Sequence, residues 1–223
     1  MNDRPSGLSV ALYAGCPSTF LRVVMSSQPG KLIVVSGPSG AGKSTLVRRL
    51  LADCPLPLRL SVSATTRSPR PGEIDGREYH FLTHLEFARR RKAGEFLECR
   101  EVFANGNWYG TLAETVSAGL QRGDWVILEI DVGGALEVFG RYLDAISFFI
   151  HPGSMEELER RLRGRGTETE EAIARRLAVA AEEWTLMTRY RHEIVNDRLD
   201  RAVQEMCRLL RESKGAQGVC STN

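Results

Sequence analysis

An α/β fold, a parallel sheet flanked by helices, is what this 223-residue sequence predicts, on three observations. Lys31–Ser36, Trp125–Ile130 and Ala145–Ile150 are continuous apolar runs of the kind seen in strands covered on both faces. These runs alternate with segments of helical character, the pattern that builds parallel sheets. A glycine-rich turn follows the first run and leads straight into a helix. Composition fits the prediction: 42% hydrophobic and 26% charged residues can supply a core, which excludes a disordered chain, a coiled coil and a collagen-like repeat. With 30 Lys and Arg against 28 Asp and Glu, the net charge of +2 offers no bulk basic surface for nucleic acid. No apolar run approaches the roughly 20 residues that cross a bilayer, so no membrane partner is expected.

Along the chain, residues 1–29 are rich in small residues, Ser, Pro and Gly without a lasting period, and read as a disordered extension or as sequence upstream of a start at Met25. Lys31–Ser36 opens the body. A helix is predicted from about Ser44 to Asp53 and ends at Cys54-Pro55 and Pro57, because proline lacks the N–H and restricts its predecessor. Leu58 to Ser63 alternates as a strand, and Thr65 to Gly76 is a polar loop bearing two arginines. Thr83/Glu86, Thr111/Glu114 and Ser154/Glu157 have the spacing of capping boxes, which predicts three helix starts. Glu95 to Trp108 carries short strand-like pieces around Asn105-Gly106, and His192–Val195 is one more strand candidate. Leu199, Val203, Met206 and Leu210 then mark the buried face of a last helix. The stretch of about 61–112 looks like a lobe inserted into the parallel framework. Five cysteines, Cys16, Cys54, Cys99, Cys207 and Cys220, are scattered singly without zinc spacing and read as reduced thiols of a cytoplasmic protein.

Gly37-Pro38-Ser39-Gly40-Ala41-Gly42-Lys43-Ser44-Thr45 fits GxxxxGK[ST] between an apolar strand and a helix. Its glycines let backbone N–H groups turn inward around phosphate oxygens, and the helix N-terminus adds positive potential. Lys43 then reaches the β- and γ-phosphates of a nucleoside triphosphate, and the Ser44 hydroxyl helps to hold Mg²⁺. A parallel sheet of the P-loop NTPase type follows. The turn alone does not separate a GTPase, an ATPase motor and a small-molecule kinase. A second pattern does: Arg67 and Arg70 stand three apart on one loop, forked donors suited to a second phosphate, followed by Tyr79, Glu98, Tyr109 and Thr111.

Beyond these two patterns, GPSGAGKST from Gly37, SVSATTRSPRPGEIDGREYHF from Ser61, GEFLE from Gly94, NWYGT from Asn107, LEIDVGGA from Leu128, RLRGRGTETEEAIARRL from Arg161 and IVND from Ile194 occur in one order. In these stretches, from about Lys31 to Arg211, the sequence resembles the guanylate kinases, which transfer phosphate from ATP to GMP. The resemblance implies a core at 30–60, 113–153 and 190–212, a GMP-binding lobe at about 61–112, a lid at about 154–189 and a flexible tail at 213–223. It implies that Ser63, Arg67, Arg70, Glu73, Tyr79, Glu98, Tyr109, Thr111, Glu129 and Asp131 surround GMP or dGMP. Arg67, Arg70, Tyr79 and Tyr109 would hold the phosphate, Glu73 would steady the arginine loop, and Ser63, Glu98 and Thr111 would read the base. Lys43, Arg67 and the lid residues Arg161, Arg165 and Arg176 would neutralise the transferring phosphoryl group, with Mg²⁺ as the cofactor of ATP and Asp131 orienting it through water. The sequence departs from the family at three places: Glu129 stands where Asp is common, Gly133 where Gln is frequent, and 103–108 is about two residues long for its loop.

Chemistry supports the assignment of Glu98. Guanine offers donors at N1 and N2 that one carboxylate accepts together, whereas adenine N1 is an acceptor; polar pairing of this kind rejects a wrong partner by about 10⁴–10⁵-fold. The acceptor phosphate is already ionised, so no general base is required, and His80, His84, His151 and His192 read as structural or surface residues. A non-catalytic module that binds phosphorylated protein through Arg67 and Arg70 would have lost Lys43, Ser44 and the lid arginines, all of which are present. A kinase of a sugar phosphate would not need Glu98, Ser63 and Thr111 together. An active, monomeric cytoplasmic enzyme is the expectation.

Overall fold

The computed structural model describes residues 30–102, 106–164, 166 and 169–215. In chain order the first elements are β1 (Lys31–Ser36), α1 (Lys43–Asp53), β2 (Leu58–Leu60), β3 (Ala64–Thr65), β4 (His80–Phe81) and α2 (His84–Lys92). β5 (Phe96–Glu101), β6 (Trp108–Leu112), α3 (Ala113–Gln121), β7 (Trp125–Glu129) and α4 (Val132–Phe139) follow. β8 (Ile146–His151), α5 (Met155–Arg163), α6 (Glu170–Thr185), a 3₁₀ turn at Met187–Arg189, β9 (His192–Val195) and α7 (Leu199–Gly215) complete the chain.

Two sheets result. β2, β7, β1, β8 and β9 lie side by side, all parallel, with Ile33 of β1 opposite Ile127 on one side and Ile146 on the other. The central strand reads as unbroken apolar sequence because each face meets helices. Ile33 and Val35 pack with Leu46 and Leu50 of α1 and Met206 and Leu210 of α7, while Leu32 and Val34 pack with Val132 and Val138 of α4. The second sheet has the order β4, β3, β6, β5 and is mixed. Its own small core joins Phe87 of α2, stacked on Phe96 at 4.4 Å, to Ala64 and Trp108.

Three expectations need correction. The predicted strand from Leu58 to Ser63 stops at Leu60, and the backbone resumes in the other sheet at Ala64. The Thr111/Glu114 box does not form: Leu112 precedes α3 without a side-chain cap, because the Thr111 hydroxyl donates instead to Glu98 Oε1 at 2.7 Å. A charge-assisted bond to a buried carboxylate outweighs an exposed cap. α7 also continues to Gly215, beyond the expected start of the tail at 213. Thr83 and Ser154 do cap α2 and α5. Cys54 and Cys207, far apart in sequence, bring their sulfurs to 2.6 Å inside the core. Among the described residues no helix is long and apolar enough to cross a membrane.

Candidate active site

The carboxyl ends of β1 and β7, the start of α4 and the inward face of the second sheet enclose a cleft of about 810 Å³, with Lys43, Glu98, Tyr109 and Asp131 in its walls. Crevices at the carboxyl ends of parallel strands are where α/β folds bind ligands.

The turn after β1 supplies the first anion cradle. Gly37 and Gly42 adopt φ of +133° and +88°, left-handed geometry that disfavours any side chain. Space adds a second constraint: a Cβ would lie 2.1 Å from the Ile150 carbonyl oxygen at Gly37 and 2.6 Å from Asn196 Nδ2 at Gly42. Lys43 begins α1 and folds its ammonium over the turn, donating to the Gly37 and Pro38 carbonyls at 2.6 and 2.9 Å. Pro38 and Ala41 are closed into the turn by an N–H from Ala41 at 3.2 Å, and Gly40 lies beneath Leu158 and Leu162 of α5. Ser44 and Thr45 follow, exposed, in the first turn of α1. Ser39 Oγ meets Arg176 Nη1 of α6 at 3.2 Å, so the helix pair α5–α6 rests on the turn.

Glu129 was expected beside GMP. It lines the cleft and accepts the Ser44 hydroxyl at 2.5 Å, and Asp131 stands two residues on, its Oδ1 accepting the Gly134 N–H at 2.7 Å as the cap of α4. Hard oxygen donors of this kind suit Mg²⁺, which takes one or two carboxylates and completes its shell with water and substrate phosphates.

The second sheet brings the other candidates to the same cleft. Glu98 is 6% exposed, with Thr111 as its hydrogen-bond donor and Gly134 so close that a Cβ there would lie 2.7 Å from Oε2. Burial lifts its carboxyl to about 7; the Thr111 hydroxyl opposes the shift, and the charges of Asp131 and Glu137 add to it. Ser63, Tyr79 and Tyr109 line the cleft, the two tyrosine rings edge to face at 5.8 Å. Arg67 lies behind them, its guanidinium 5.5 Å from the Tyr79 ring centre and paired through two nitrogens with Glu73 at 2.9 and 3.0 Å. Glu73 also accepts the Arg70 N–H at 2.7 Å, and Arg67 holds its carboxyl below the usual range. Glu73 thus ties the Arg67 side chain to the Arg70 backbone. The Arg70 side chain is exposed and does not line the cleft.

Of the lid arginines, Arg161 donates to Glu157 Oε1 at 2.7 Å and to the Asn196 carbonyl at 2.8 Å, and Arg176 reaches Ser39. Arg165 lies outside the described residues, as do 103–105 of the long loop. His151 is buried and bonds Glu193 at 2.8 Å; it faces no candidate ligand group.

Two residues, one in the cleft and one beneath its phosphate turn, received no role in the sequence reading. Glu183 of α6 lines the cleft, and burial raises its carboxyl to about 7 against the opposing pull of Lys43. Asn196 is buried; its Nδ2 donates to the Ala41 carbonyl at 2.8 Å and its N–H to His151. Asn196→Ala strips the buried Ala41 carbonyl of its donor, an expected cost of about 1–3 kcal/mol. A 150–250-residue protein then melts roughly 2–4 °C lower per kcal/mol. A calorimetric scan showing no shift would remove Asn196 from the support of the turn.

The comparisons with known proteins agree with this geometry. The guanylate kinase family model matches residues 29–213. The chain is 54% identical over 199 residues to a guanylate kinase of Rhodopirellula baltica, covering 89% of this chain and 95% of that one. It is 51% identical to a guanylate kinase of Rubrobacter xylanophilus, covering 82% and 94%. A crystal structure of guanylate kinase from Anaplasma phagocytophilum superposes with a TM-score of 0.69 at 33% identity, over 85% of this chain and 88% of that one. With the family model matched over residues 29–213 and relatives at 54% and 51% identity, the chain belongs to the guanylate kinase family.

Proposed function

We propose a division of labour for the guanylate kinase reaction, transfer of the γ-phosphate of ATP to GMP or dGMP. The observation that carries it is one cleft bearing Lys43 on one wall and the Glu98–Thr111 pair on another. The turn from Gly37 to Thr45 holds the ATP phosphates. Lys43 exchanges the Gly37 and Pro38 carbonyls for phosphate oxygens, a short movement for a flexible side chain. Ser44, Glu129 and Asp131 would hold Mg²⁺, which would supply positive charge against the donor's phosphates. Glu129 thus belongs with the metal more than with GMP.

Glu98, with Ser63 and Thr111, binds the guanine, and Tyr79, Tyr109, Arg67 and Arg70 hold its phosphate. Residues 61–112 form the monophosphate lobe and 154–189 the lid. Arg161, Arg165 and Arg176 add positive charge as the lid closes and expels water. No side chain need remove a proton, since the attacking oxygen is already anionic. A cytoplasmic site of action is part of the proposal, supported by the free thiols Cys54, Cys99 and Cys207.

A coupled assay with ATP and GMP, AMP, CMP or UMP offered separately tests the reading. GMP alone should be consumed rapidly; rapid use of AMP with indifference to GMP would overturn it. Within the phosphate subsite, Arg67→Ala removes a charge-assisted contact of about 1.5–3 kcal/mol. KM for GMP should rise about 10–100-fold, with KM for ATP little altered. Equal effects on both would mean that Arg67 serves the fold of its loop and not the ligand.

A further inference from the structure

We propose that Arg100 is a specificity-determining residue of the monophosphate site, set over Gly133 so that its guanidinium donates to the O6/N7 edge of guanine while Glu98 takes the N1/N2 edge. The inference rests on the reading of Glu98 given above and extends it to the other face of the same base.

Four observations support it. Arg100 follows Glu98 by two residues on β5, so both side chains project from the same face of the sheet, and both line the cleft. The two meet successive glycines at the start of α4. A Cβ on Gly134 would lie 2.7 Å from Glu98 Oε2, and one on Gly133 would lie 2.4 Å from Arg100 Cζ and 2.6 Å from its Nε. The guanidinium therefore occupies the volume that any side chain at 133 would fill. Its anchorage is slight: Nη1 stands 3.5 Å from Glu137 Oε1, and both side chains remain nearly half exposed. Finally, Arg100 lies opposite Tyr109 on β6, two residue pairs along from Glu98 and Thr111, whereas Tyr79, just before β4, and Arg67, after β3, stand on the far side of β6 from β5.

The chemistry then follows from the base. Guanine O6 and N7 are both acceptors, and a guanidinium is the side chain best suited to bond that pair together. Adenine replaces O6 with an amino donor, which would face the arginine donors without a bond. The two edges of the base would thus be read by opposite charges on one strand, set against successive glycines of one helix start.

The test pairs two variants, Arg100→Met and Gly133→Gln, with three substrates: GMP, 7-deaza-GMP (which lacks the N7 acceptor) and IMP (which lacks the 2-amino donor). Steady-state KM and kcat for each, and KM for ATP, are the readouts. The unaltered protein should favour GMP over 7-deaza-GMP by about tenfold, the worth of one charge-assisted bond. Arg100→Met should abolish that preference while keeping the penalty against IMP, and most of its loss should fall on KM for GMP. Gly133→Gln should reproduce the pattern by displacing the guanidinium; because it crowds α4, a thermal melt accompanies it, and Arg100→Met decides if it is unstable. A retained 7-deaza penalty in Arg100→Met, or an equal rise in KM for every monophosphate, would overturn the proposal. If the unaltered protein ignores GMP, the reading of Glu98 fails first; if it uses GMP and the variants are silent, only the role of Arg100 fails.

Discussion

Lys43→Ala is expected to lower kcat by about 10²–10³-fold or more, the loss seen when one preorganised stabiliser of transition-state charge is removed, while the protein stays folded. Lys43 contributes in two places. In the fold, its ammonium donates to the Gly37 and Pro38 carbonyls, bonds worth about 1.5–3 kcal/mol each at most, and water in the adjoining cleft can replace it. Against that gain stands its position. Lys43 opens α1, whose first turn carries no acidic residue, and a cation there opposes the helix dipole by about 0.3–1 kcal/mol. Water and the dipole penalty offset part of that gain, so the loss of stability should fall well short of the loss of activity. In the reaction it meets developing negative charge in a site from which water is excluded, where the same charge counts for much more. Melting temperature and kcat measured on one preparation separate the two roles. A large drop in melting temperature with a proportionate loss of activity would assign Lys43 to the fold.

The parts of this site that the sequence revealed are those written in consecutive residues. The phosphate turn is legible because Gly37, Gly42 and Lys43 must stand at fixed spacing for one backbone to wrap an anion, and the strand before it because both faces of β1 are covered. The caps at Thr83 and Ser154 are legible for the same local reason. What escaped depends on distant partners. Thr111 has the spacing of a cap, yet it bonds Glu98, thirteen residues away on a neighbouring strand. Asn196 supports a turn 155 residues earlier; it lies in the IVND stretch that the resemblance singled out, yet nothing local to that stretch reveals its distant partner. β3 and β4 are two residues each, too short for any period to register; they exist because β6 and the β3–β4 pairing hold them. Glu183 looked like one more charge on a helix, and only the packing of α6 over the cleft turns it inward. Gly133 was legible as a departure, but its physical consequence, room for Arg100, needed the approach of β5 to α4.

Glu98→Gln should separate base recognition from the rest of the machinery. One carboxylate accepting from N1 and N2 makes two charge-assisted bonds, about 3–6 kcal/mol together, so kcat/KM for GMP should fall roughly 10²–10⁴-fold. The fall lies toward the lower end, because the amide keeps one acceptor, which Thr111 can still meet. Its new N–H can donate to adenine N1, so the preference for GMP over AMP should shrink as well. The pH dependence gives an independent check. Burial has raised the Glu98 carboxyl from an ordinary 4.5 to about 7. Between these values the folded protein holds a proton that the unfolded chain has released, so this group lowers stability as pH rises from about 4.5 to 7, and the deficit stays constant above that. GMP needs the ionised form, so its affinity should climb as pH rises through about 7. The second ionisation of the GMP phosphate, near pH 6, adds a climb of the same sign at lower pH. Glu98→Gln should reduce the component near 7, to which Glu183 in the same cleft also contributes, and leave the one near 6. If the variant keeps both its preference for GMP and the full pH profile, the buried carboxylate does not read the base.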